Sequence, residues 1–370
     1  MRLLILDENY PHLDNLMGDV FVHVRAKEYA KHHEVKAFSY FQEPGKIIYE
    51  NITLERFNDI EHIVEAIRLY NPDKILIHFY QSWMLEKIIK AFKIPVIIWV
   101  HGYEALGWYR RLFNYTLYSP VLINFIISNT RQQYNFRKLI KYANKTSLVR
   151  FVFVSSWMRR VTEKDTLSKI RESNIIPNPI DVDLFKYYEK DREKRKKILV
   201  LRSFNSRKYA NDIYVKAILK LSRQKNFNQF SFTIIGEGIL FNKILQPLKN
   251  FSNVQINKGV IRQIMIPQLH REYGIFLCPT RQDAQGVSMC EAMSSGLVPV
   301  TSNNTAIPEF VHHNVSGILT NQPDEIADAL EDMFQHPEKF TQMSYNASKS
   351  IKELCNIKII SKQELDIIES

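Results

Sequence analysis

The sequence predicts an α/β protein built from two doubly wound, parallel-sheet domains. The chain has 370 residues, a length that suits two domains which each bury their own core. Short apolar runs alternate with amphipathic stretches in both halves, which is the pattern of repeated strand-helix-strand units. A run of charged residues at 187–197 separates the two halves and has little to bury.

In the first half, apolar runs predict buried strands, and the stretches between them predict helices. The strands are expected at 2–7, 34–39, 74–80, 96–101 and 150–155, and the helices at 18–32, 60–70 and 83–92. Strands joined by such crossovers pair in parallel. We therefore assign residues 1–186 to an N-terminal Rossmann-like domain.

The same alternation resumes after the charge run, which we interpret as the interdomain linker. Strands are expected at 198–202, 231–235, 254–257, 274–278 and 297–301, with helices near 209–224, 238–249, 261–272 and 286–295. Residues 198–345 form the second predicted domain. The remaining residues, 346–370, predict a helical tail that we expect to pack back on the N-terminal domain.

Composition narrows the classes of partner and compartment. The formal net charge is +11, which favours anionic partners. The three cysteines lack metal-ligand spacing, so neither a disulfide framework nor a zinc site is predicted, and a cytoplasmic protein is expected. No apolar run reaches the 18 residues of a membrane span, and no secretory signal is recognisable at the N-terminus.

The segment 279–300 carries the most informative pattern in the chain. A strand ends, a glycine follows in the turn, and a helix begins directly after Gly286. Glycine lets the backbone approach a ligand closely, and the free N–H groups of Val287 and Ser288 at the helix start form an anion site. A diphosphate suits that site.

Two carboxylates flank this turn. Asp283 and Glu291 are eight residues apart, so that one can face a sugar while the other accepts hydrogen bonds from ribose hydroxyls. The alternative is that both only stabilise the first turns of the helix through its dipole.

This segment resembles the signature of glycosyltransferase family 4, an acid, seven residues, a second acid, then Ala-Met-x-x-Gly and a Pro-Val strand. The resemblance implies the GT-B fold, in which two Rossmann-like domains face a cleft. It also implies a nucleotide-sugar donor, retention of anomeric configuration, no metal and no cofactor. The family usually has Glu at the first acid, and the carboxylate of Asp283 sits about 1.3 Å further back.

A basic cluster follows the linker. Arg202 at a strand end and Lys208 near a helix start are expected at the carboxyl edge of the sheet, where two cations can neutralise a diphosphate. The alternative is a solvated basic loop. The resemblance implies that both residues bind the donor phosphates, although Tyr209 replaces the glycine that usually follows the lysine.

Two further site residues in the first half come from the resemblance. His101 ends a strand in a His-Gly pair, and the family uses such a histidine to contact the transferred sugar. Gly18 resembles the first glycine loop, which brings backbone near the donor phosphates, although Met17 takes the place of a second glycine. Alternatives are a core or surface histidine and an ordinary strand-helix turn.

Taken together with the resemblance, these patterns predict a retaining hexosyltransferase. His101 and Asp283 are the predicted catalytic residues. The resemblance implies that no protein nucleophile is required, because the departing phosphate helps to deprotonate the acceptor. The predicted donor-binding residues are Gly18, Arg202, Lys208, Gly286, Val287, Ser288 and Glu291. The expected acceptor is a glycan, carried on a lipid or of lipopolysaccharide or capsule type.

The segment 108–150 contains eight Lys or Arg residues, no Asp or Glu, and many interleaved aromatic residues. Cations mixed with amphipathic aromatics suit an anionic membrane surface. We therefore expect a peripheral contact with the inner face of the cytoplasmic membrane. The alternative is a structural pair of basic helices without a lipid role.

Three rival functions are separable by experiment. A nucleotide-sugar epimerase of the same fold would act on a nucleotide sugar without an acceptor. A nucleic-acid-binding protein would use 108–150 to hold a single strand, but would leave 279–300 unexplained. A dinucleotide oxidoreductase is less favoured, because Gly236-Glu237-Gly238 lacks the third glycine and a downstream acid.

Overall fold

The computed structural model describes residues 1–15 and 18–370. The chain divides into two units, each built around its own parallel sheet. Unit 1 comprises residues 1–110, 117–179 and 358–370, and unit 2 comprises residues 111–116 and 180–357. The predicted fold class, two doubly wound parallel-sheet domains, is confirmed.

Unit 1 contains an eight-stranded sheet in the order β3-β4-β2-β1-β5-β6-β7-β8. Its strands are β1 (Arg2–Asp7), β2 (Glu34–Tyr40), β3 (Gly45–Tyr49), β4 (Ile52–Phe57), β5 (Lys74–His78), β6 (Val96–Val100), β7 (Val149–Phe153) and β8 (Ser173–Ile175). All neighbours pair in parallel except β3 and β4. Parallel pairing brings the carboxyl ends of most strands to one edge.

Five helices of unit 1 in the described part of the chain precede residue 180. They are α1 (Val20–Tyr29), α2 (Ile60–Tyr70), α3 (Lys90–Phe92), α4 (Pro120–Ala143) and α5 (Ser156–Asp165). A π-helical stretch, Leu85–Ile89, leads into α3, and a 3-10 stretch, Trp108–Asn114, precedes α4. The Ser119 side chain caps α4 by accepting from the Leu122 amide, and Pro120 fits the first turn. The segment 108–150 is thus organised by one 24-residue helix rather than by a pair.

Unit 2 contains a six-stranded, fully parallel sheet in the order β11-β10-β9-β12-β13-β14. Its strands are β9 (Lys197–Leu201), β10 (Ser231–Gly236), β11 (Val254–Lys258), β12 (Ile275–Leu277), β13 (Val298–Ser302) and β14 (Ile318–Thr320). Its helices are α6 (Asn211–Leu221), α7 (Phe241–Leu245), α8 (Ile266–Glu272), α9 (Val287–Ser294), α10 (Pro323–Gln335) and α11 (Pro337–Leu354).

The last helix, α12 (Ile357–Glu369), packs into unit 1 from Lys358 onwards. Its apolar face joins the unit 1 core through Ile360, Ile367 and Ile368. On the same helix, Glu364 is buried and accepts hydrogen bonds from three side chains of unit 1, namely Arg25, Tyr29 and Trp99. A paired carboxylate and an apolar stripe together hold the chain end against this unit.

The charged stretch 187–197, interpreted from the sequence as the interdomain linker, lies within unit 2. Residues Arg192–Lys196 form a 3-10 helix, and Arg195 is buried. The Arg195 side chain donates to the Phe334 carbonyl and lies over the Phe334 ring. Long basic side chains can pack their stems on apolar surface while the head stays hydrogen-bonded, which charge counting along the sequence does not reveal.

Four short strands had no sequence prediction: β3, β4, β8 and β14. The first two form a hairpin whose loop, Glu50 and Asn51, has positive φ at both positions, as type I′ turns require. Loops of that type are usually recognised by Asn-Gly or Asp-Gly, and the Glu-Asn pair here gives a weaker signal.

In the described residues, none of the helices is both long and apolar enough to cross a bilayer.

Candidate functional site

The turn before α9 is held by its own acidic residue. Asp283 Oδ1 accepts from the Gly286 amide at 3.0 Å and from the Gln285 amide at 3.4 Å. Gly286 has a φ of +86°, a conformation that side chains with a Cβ rarely adopt. The predicted catalytic carboxylate therefore shapes the loop that starts the helix, and its contact with a sugar stays a prediction.

The N-terminus of α9 is uncapped in the part of the chain that the structure describes. Gly286 occupies the cap position, and no side chain there accepts a hydrogen bond from the first turn. The amides of Val287 and Ser288 have no partner within the helix, because first-turn amides precede the repeating pattern. Both residues are only partly buried, so that their amides remain available to an anion.

Arg202 lies directly after β9 and is 7% exposed. Its Nη2 donates to the Cys278 carbonyl at 3.0 Å, and Nη1 makes a longer contact, 3.4 Å, with Ser288 Oγ. These contacts place the guanidinium against the first turn of α9. Its Nε is buried without a hydrogen-bond partner among the described residues.

Lys208 lies in a 3-10 turn, Arg207–Tyr209, close to Arg202. The Lys208 carbonyl accepts from the Arg281 amide at 2.8 Å and from Thr280 Oγ1 at 3.2 Å, which ties this turn to the loop after β12. Lys208 Nζ lies 5.4 Å from the centre of the Tyr209 ring, and the Arg202 guanidinium carbon lies 5.6 Å from it. The structure thus brings the two predicted cations together around one aromatic ring.

Glu291 lies one turn into α9 and is 7% exposed. Burial disfavours the charged form and raises the pKa of this carboxyl to about 7, while a hydrogen bond from Gln263 acts in the opposite direction. That bond runs from Gln263 Nε2 to Glu291 Oε1 at 2.7 Å. A buried acid with one amide partner retains unused acceptor capacity for a ligand.

In unit 1, His101 directly follows β6 and is partly buried. Its Nε2 lies 2.9 Å from Nδ1 of His78, and the two rings are stacked. The ring also packs against Phe21 in the first turn of α1 and against Phe79. Burial lowers the pKa of His101 well below its usual value, so the ring is neutral at physiological pH.

Gly18 packs tightly against its own loop. A Cβ at this position would lie 2.4 Å from the Asn9 carbonyl oxygen and 2.9 Å from the Pro11 nitrogen. The next residue, Asp19, is the N-cap residue of α1, and burial together with the charges of Glu8 and Glu104 raises its pKa to about 7. The predicted phosphate contact of Gly18 stays untested, and its surroundings are acidic.

Sequence reasoning missed several groups at these two sheet edges. Gln263, the partner of Glu291, is 28 residues away along the chain and follows no local pattern. The acidic residues of unit 1 did carry a usable signal, since Glu8 follows β1 and Glu104 follows β6. Carboxyl ends of parallel strands meet at one edge, so these residues could have been expected to converge.

Comparisons with known proteins match the fold of the chain and the sequence of part of unit 2. Residues 195–336 match the family model described as glycosyl transferases group 1. The amylovoran biosynthesis glycosyltransferase AmsK of Erwinia amylovora is 35% identical over 103 residues, which is 26% of this chain and 25% of the length of that relative.

Two solved structures superpose over the whole chain. Sucrose-phosphate synthase from Thermosynechococcus elongatus has a TM-score of 0.78 at 13% identity, covering 100% of this chain and 98% of that one. Anabaena HepE, in complex with UDP and glucose, has a TM-score of 0.74 at 16% identity and full coverage of both chains. At such identities the structural matches establish the fold. The recognition made from the sequence is therefore confirmed: the chain has the GT-B fold, and its residues 195–336 match the model of the glycosyl transferases group 1 family.

Proposed function

We propose that this chain is a glycosyltransferase that moves a sugar from a nucleotide-sugar donor to a glycan acceptor. One observation carries the proposal. The uncapped amides of α9 lie beside the Arg202 guanidinium, and a buried carboxylate, Glu291, lies one turn further along the helix. Adjacent anion and hydroxyl sites suit a nucleoside diphosphate. Anabaena HepE, which shares the fold, was solved with UDP and glucose.

Each group has a role in this proposal. The α9 amides, Arg202 and Lys208 stabilise the negative charge that develops on the leaving diphosphate. Glu291 accepts hydrogen bonds from the ribose hydroxyls, and the loop of Asp283 orients the transferred sugar. Positioning these groups before the reaction lowers the barrier, because no reorganisation is needed when charge develops.

The reaction is proposed to retain anomeric configuration and to need no metal or cofactor. The acceptor oxygen attacks the anomeric carbon from the face that the diphosphate leaves. Its proton passes to an oxygen of the departing diphosphate, so no base from the protein is required. Neutral His101 is the candidate for orienting the sugar, in accordance with its lowered pKa.

The acceptor is proposed to be lipid-linked or of polysaccharide type, and α4 to contact the membrane that carries it. The exposed apolar residues at and before the start of α4 are Leu117, Tyr118, Val121, Ile123 and Ile127. The exposed cations further along include Lys138, Lys141 and Lys145. Apolar side chains beside cations suit the boundary between acyl chains and anionic headgroups.

Donor binding is tested by thermal stabilisation of the purified chain with UDP, GDP, ADP and dTDP sugars. One nucleotide class is expected to raise the melting temperature, and Glu291→Ala to abolish both the shift and sugar transfer. Asp328→Ala, which removes an exposed carboxylate from α10, serves as the control and should keep both. Transfer should survive EDTA. Full activity of Glu291→Ala would remove the site assignment.

Membrane contact is tested by sedimentation with vesicles of phosphatidylcholine alone or with added phosphatidylglycerol. The chain should sediment with the anionic vesicles, and the double variant Lys138→Gln and Lys141→Gln should bind less. Each lysine near an anionic surface contributes about 1 kcal/mol, so the pair should change partitioning by about tenfold or more. The matched control, Lys243→Gln with Lys249→Gln in unit 2, should bind like the parent chain.

A further inference from the structure

Unit 1 contains a cavity of about 300 Å³ at the carboxyl edge of its sheet. Its floor comes from the loops after β5 and β6, through Tyr80, Gln81, Ser82 and Tyr103. Small-molecule sites range from about 300 to 1,000 Å³, so this cavity suits one sugar residue rather than an extended chain. None of the residues predicted from the sequence to bind the donor lines it.

The opposite wall of the cavity is a polar stripe on α4. Ser128, Arg131, Gln132 and Asn135 line it. Their spacing places all four on one face of the helix, one above the other. The helix therefore turns hydroxyl, amide and guanidinium groups toward the two tyrosines of the floor.

Some of these polar groups are already fixed by the protein. Gln81 Nε2 lies 3.1 Å from Glu8 Oε2 and 2.9 Å from the Tyr103 hydroxyl. Gln132 donates to the Glu104 carbonyl at 3.2 Å. These bonds hold the floor and one end of the stripe in place, as a binding site requires.

Other groups in the cavity remain open. The amide of Asn135 is partly buried and its side chain forms no hydrogen bond with the described residues, so that it can donate to and accept from ligand hydroxyls. Arg131 is exposed and forms no ion pair within residues 1–15 and 18–370. The guanidinium is the fork that carboxylates and phosphates bind in two-point fashion.

We propose that this cavity binds a hexose of the acceptor that carries an anionic substituent, a carboxylate or a phosphate. Arg131 binds the anionic group, and the Asn135 amide binds sugar hydroxyls. Glu8, which accepts from the floor residues Gln81 and Tyr103, repels an anion on that side. The substituent therefore points toward α4. This inference rests on the proposed transferase function and specifies its acceptor.

The test measures binding of small sugars to the full chain by saturation-transfer NMR titration. The probes are methyl glucuronide, glucose 6-phosphate, methyl glucoside and inorganic phosphate. Both anionic hexoses are expected to bind about tenfold more tightly than either the neutral glucoside or phosphate alone, the gain of one charge-assisted contact. Arg131→Gln should abolish that preference. Lys138→Gln, on the same helix but outside the cavity, should keep it.

Three outcomes would overturn the inference. Equal binding of phosphate and glucose 6-phosphate would identify an anion site without sugar recognition. Equal losses in the Arg131 and Lys138 variants would identify a general charge effect of α4. Absence of hexose binding, with the nucleotide-sugar shift intact, would remove the acceptor cavity and leave the proposed function standing. Hexose binding without any nucleotide-sugar shift would instead remove the proposed donor site and leave a sugar-binding cavity in unit 1.

Discussion

Two buried glutamates, one in each unit, have opposite surroundings. Glu364 on α12 is 1% exposed and accepts from Arg25 Nε at 2.8 Å, from the Tyr29 hydroxyl at 2.6 Å and from Trp99 Nε1 at 3.0 Å. Glu291 on α9 is 7% exposed and accepts from one amide, that of Gln263. Glu364 accepts from a cation and two neutral donors, whereas Glu291 has no cationic partner among the described residues.

The difference separates a structural carboxylate from one kept for a ligand. A carboxylate has about four acceptor sites, and a buried one that fills only some of them is costly to ionise. The raised pKa of Glu291, about 7, expresses that cost. A ligand whose hydroxyl groups donate hydrogen bonds to Glu291 would offset that cost. Less of that gain is open to Glu364, because three donors of unit 1 already occupy most of its acceptor sites.

The largest effect is expected for Glu364→Ala. Removing this carboxylate leaves the Arg25 guanidinium buried without its partner, and breaking such pairs costs about 3–5 kcal/mol. Urea unfolding should show that loss. Asp366→Ala, an exposed position on the same helix, should change stability by less than about 0.5 kcal/mol.

The donor-induced shift in melting temperature should persist in the folded fraction of Glu364→Ala, since this acid has no proposed contact with the donor. If Glu364→Ala were as stable as the parent chain, the three hydrogen bonds would not hold α12. If it lost nucleotide-sugar binding while folded, the separation between the two glutamates would be wrong.

Glu291→Gln should make the chain more stable, whereas Glu364→Ala should make it less stable. Because the folded-state pKa is raised above the ordinary value of a glutamate, the folded chain holds this proton more tightly than the unfolded chain does. The parent chain therefore loses stability from this group as pH rises from about 4.5 to about 7, by up to about 3 kcal/mol. Glutamine does not titrate, so the variant should gain relative to the parent over that range.

Urea unfolding of both chains at pH 5 and pH 8 measures this difference. The gain of Glu291→Gln should be present at pH 8 and small at pH 5, while donor binding by the variant is weakened at both values. A stability difference that does not change with pH would mean that Glu291 is not desolvated in the folded chain. Donor affinity equal to that of the parent would remove its role with ribose.

Local patterns were sufficient for part of this picture. The turn at Gly286, the helix that follows it and the position of Arg202 were predicted because strand ends, glycines and helix starts are encoded within a few neighbouring residues. The bond from Gln263 to Glu291 and the docking of Glu364 beside Arg25 were not predicted. Both join segments that are distant in sequence, and neither has a periodic or compositional signal.

Arg202→Lys tests whether the cations of unit 2 act through geometry as well as charge. The guanidinium reaches the Cys278 carbonyl and the first turn of α9 at once, which a lysine ammonium cannot reproduce. Donor affinity should fall about tenfold or more, as for loss of one charge-assisted contact. The readout is titration with the stabilising nucleotide sugar.

Arg223→Lys, the same exchange at an exposed position after α6, should leave that affinity unchanged and serves as the control. An Arg202→Lys chain with the affinity of the parent would show that charge alone suffices at this position. A loss of stability equal in size to the loss of affinity would instead assign Arg202 a packing role.

The smallest change in stability is expected for a variant at the carboxyl edge of the unit 1 sheet. This edge is acidic, whereas the corresponding edge of unit 2 is cationic. Burial, together with the charges of Glu8 and Glu104, raises the pKa of Asp19 to about 7. Above that pH the ionised Asp19 opposes folding, and below the ordinary pKa of an aspartate the effect is absent. Asp19→Asn should therefore stabilise the chain by about 1 kcal/mol at pH 8, a value reduced for partial solvent screening, and by little at pH 4.

Unfolding at the two pH values measures the Asp19 effect, with Asp14→Asn, exposed in the same loop, as the control. A gain of equal size at both pH values would indicate helix capping by asparagine rather than relief of repulsion, since capping does not titrate. A gain confined to pH 8 would mean that charge, and not loop geometry, distinguishes this edge. It would also count against phosphate binding at Gly18, because a diphosphate there would add negative charge to a cluster that already resists it.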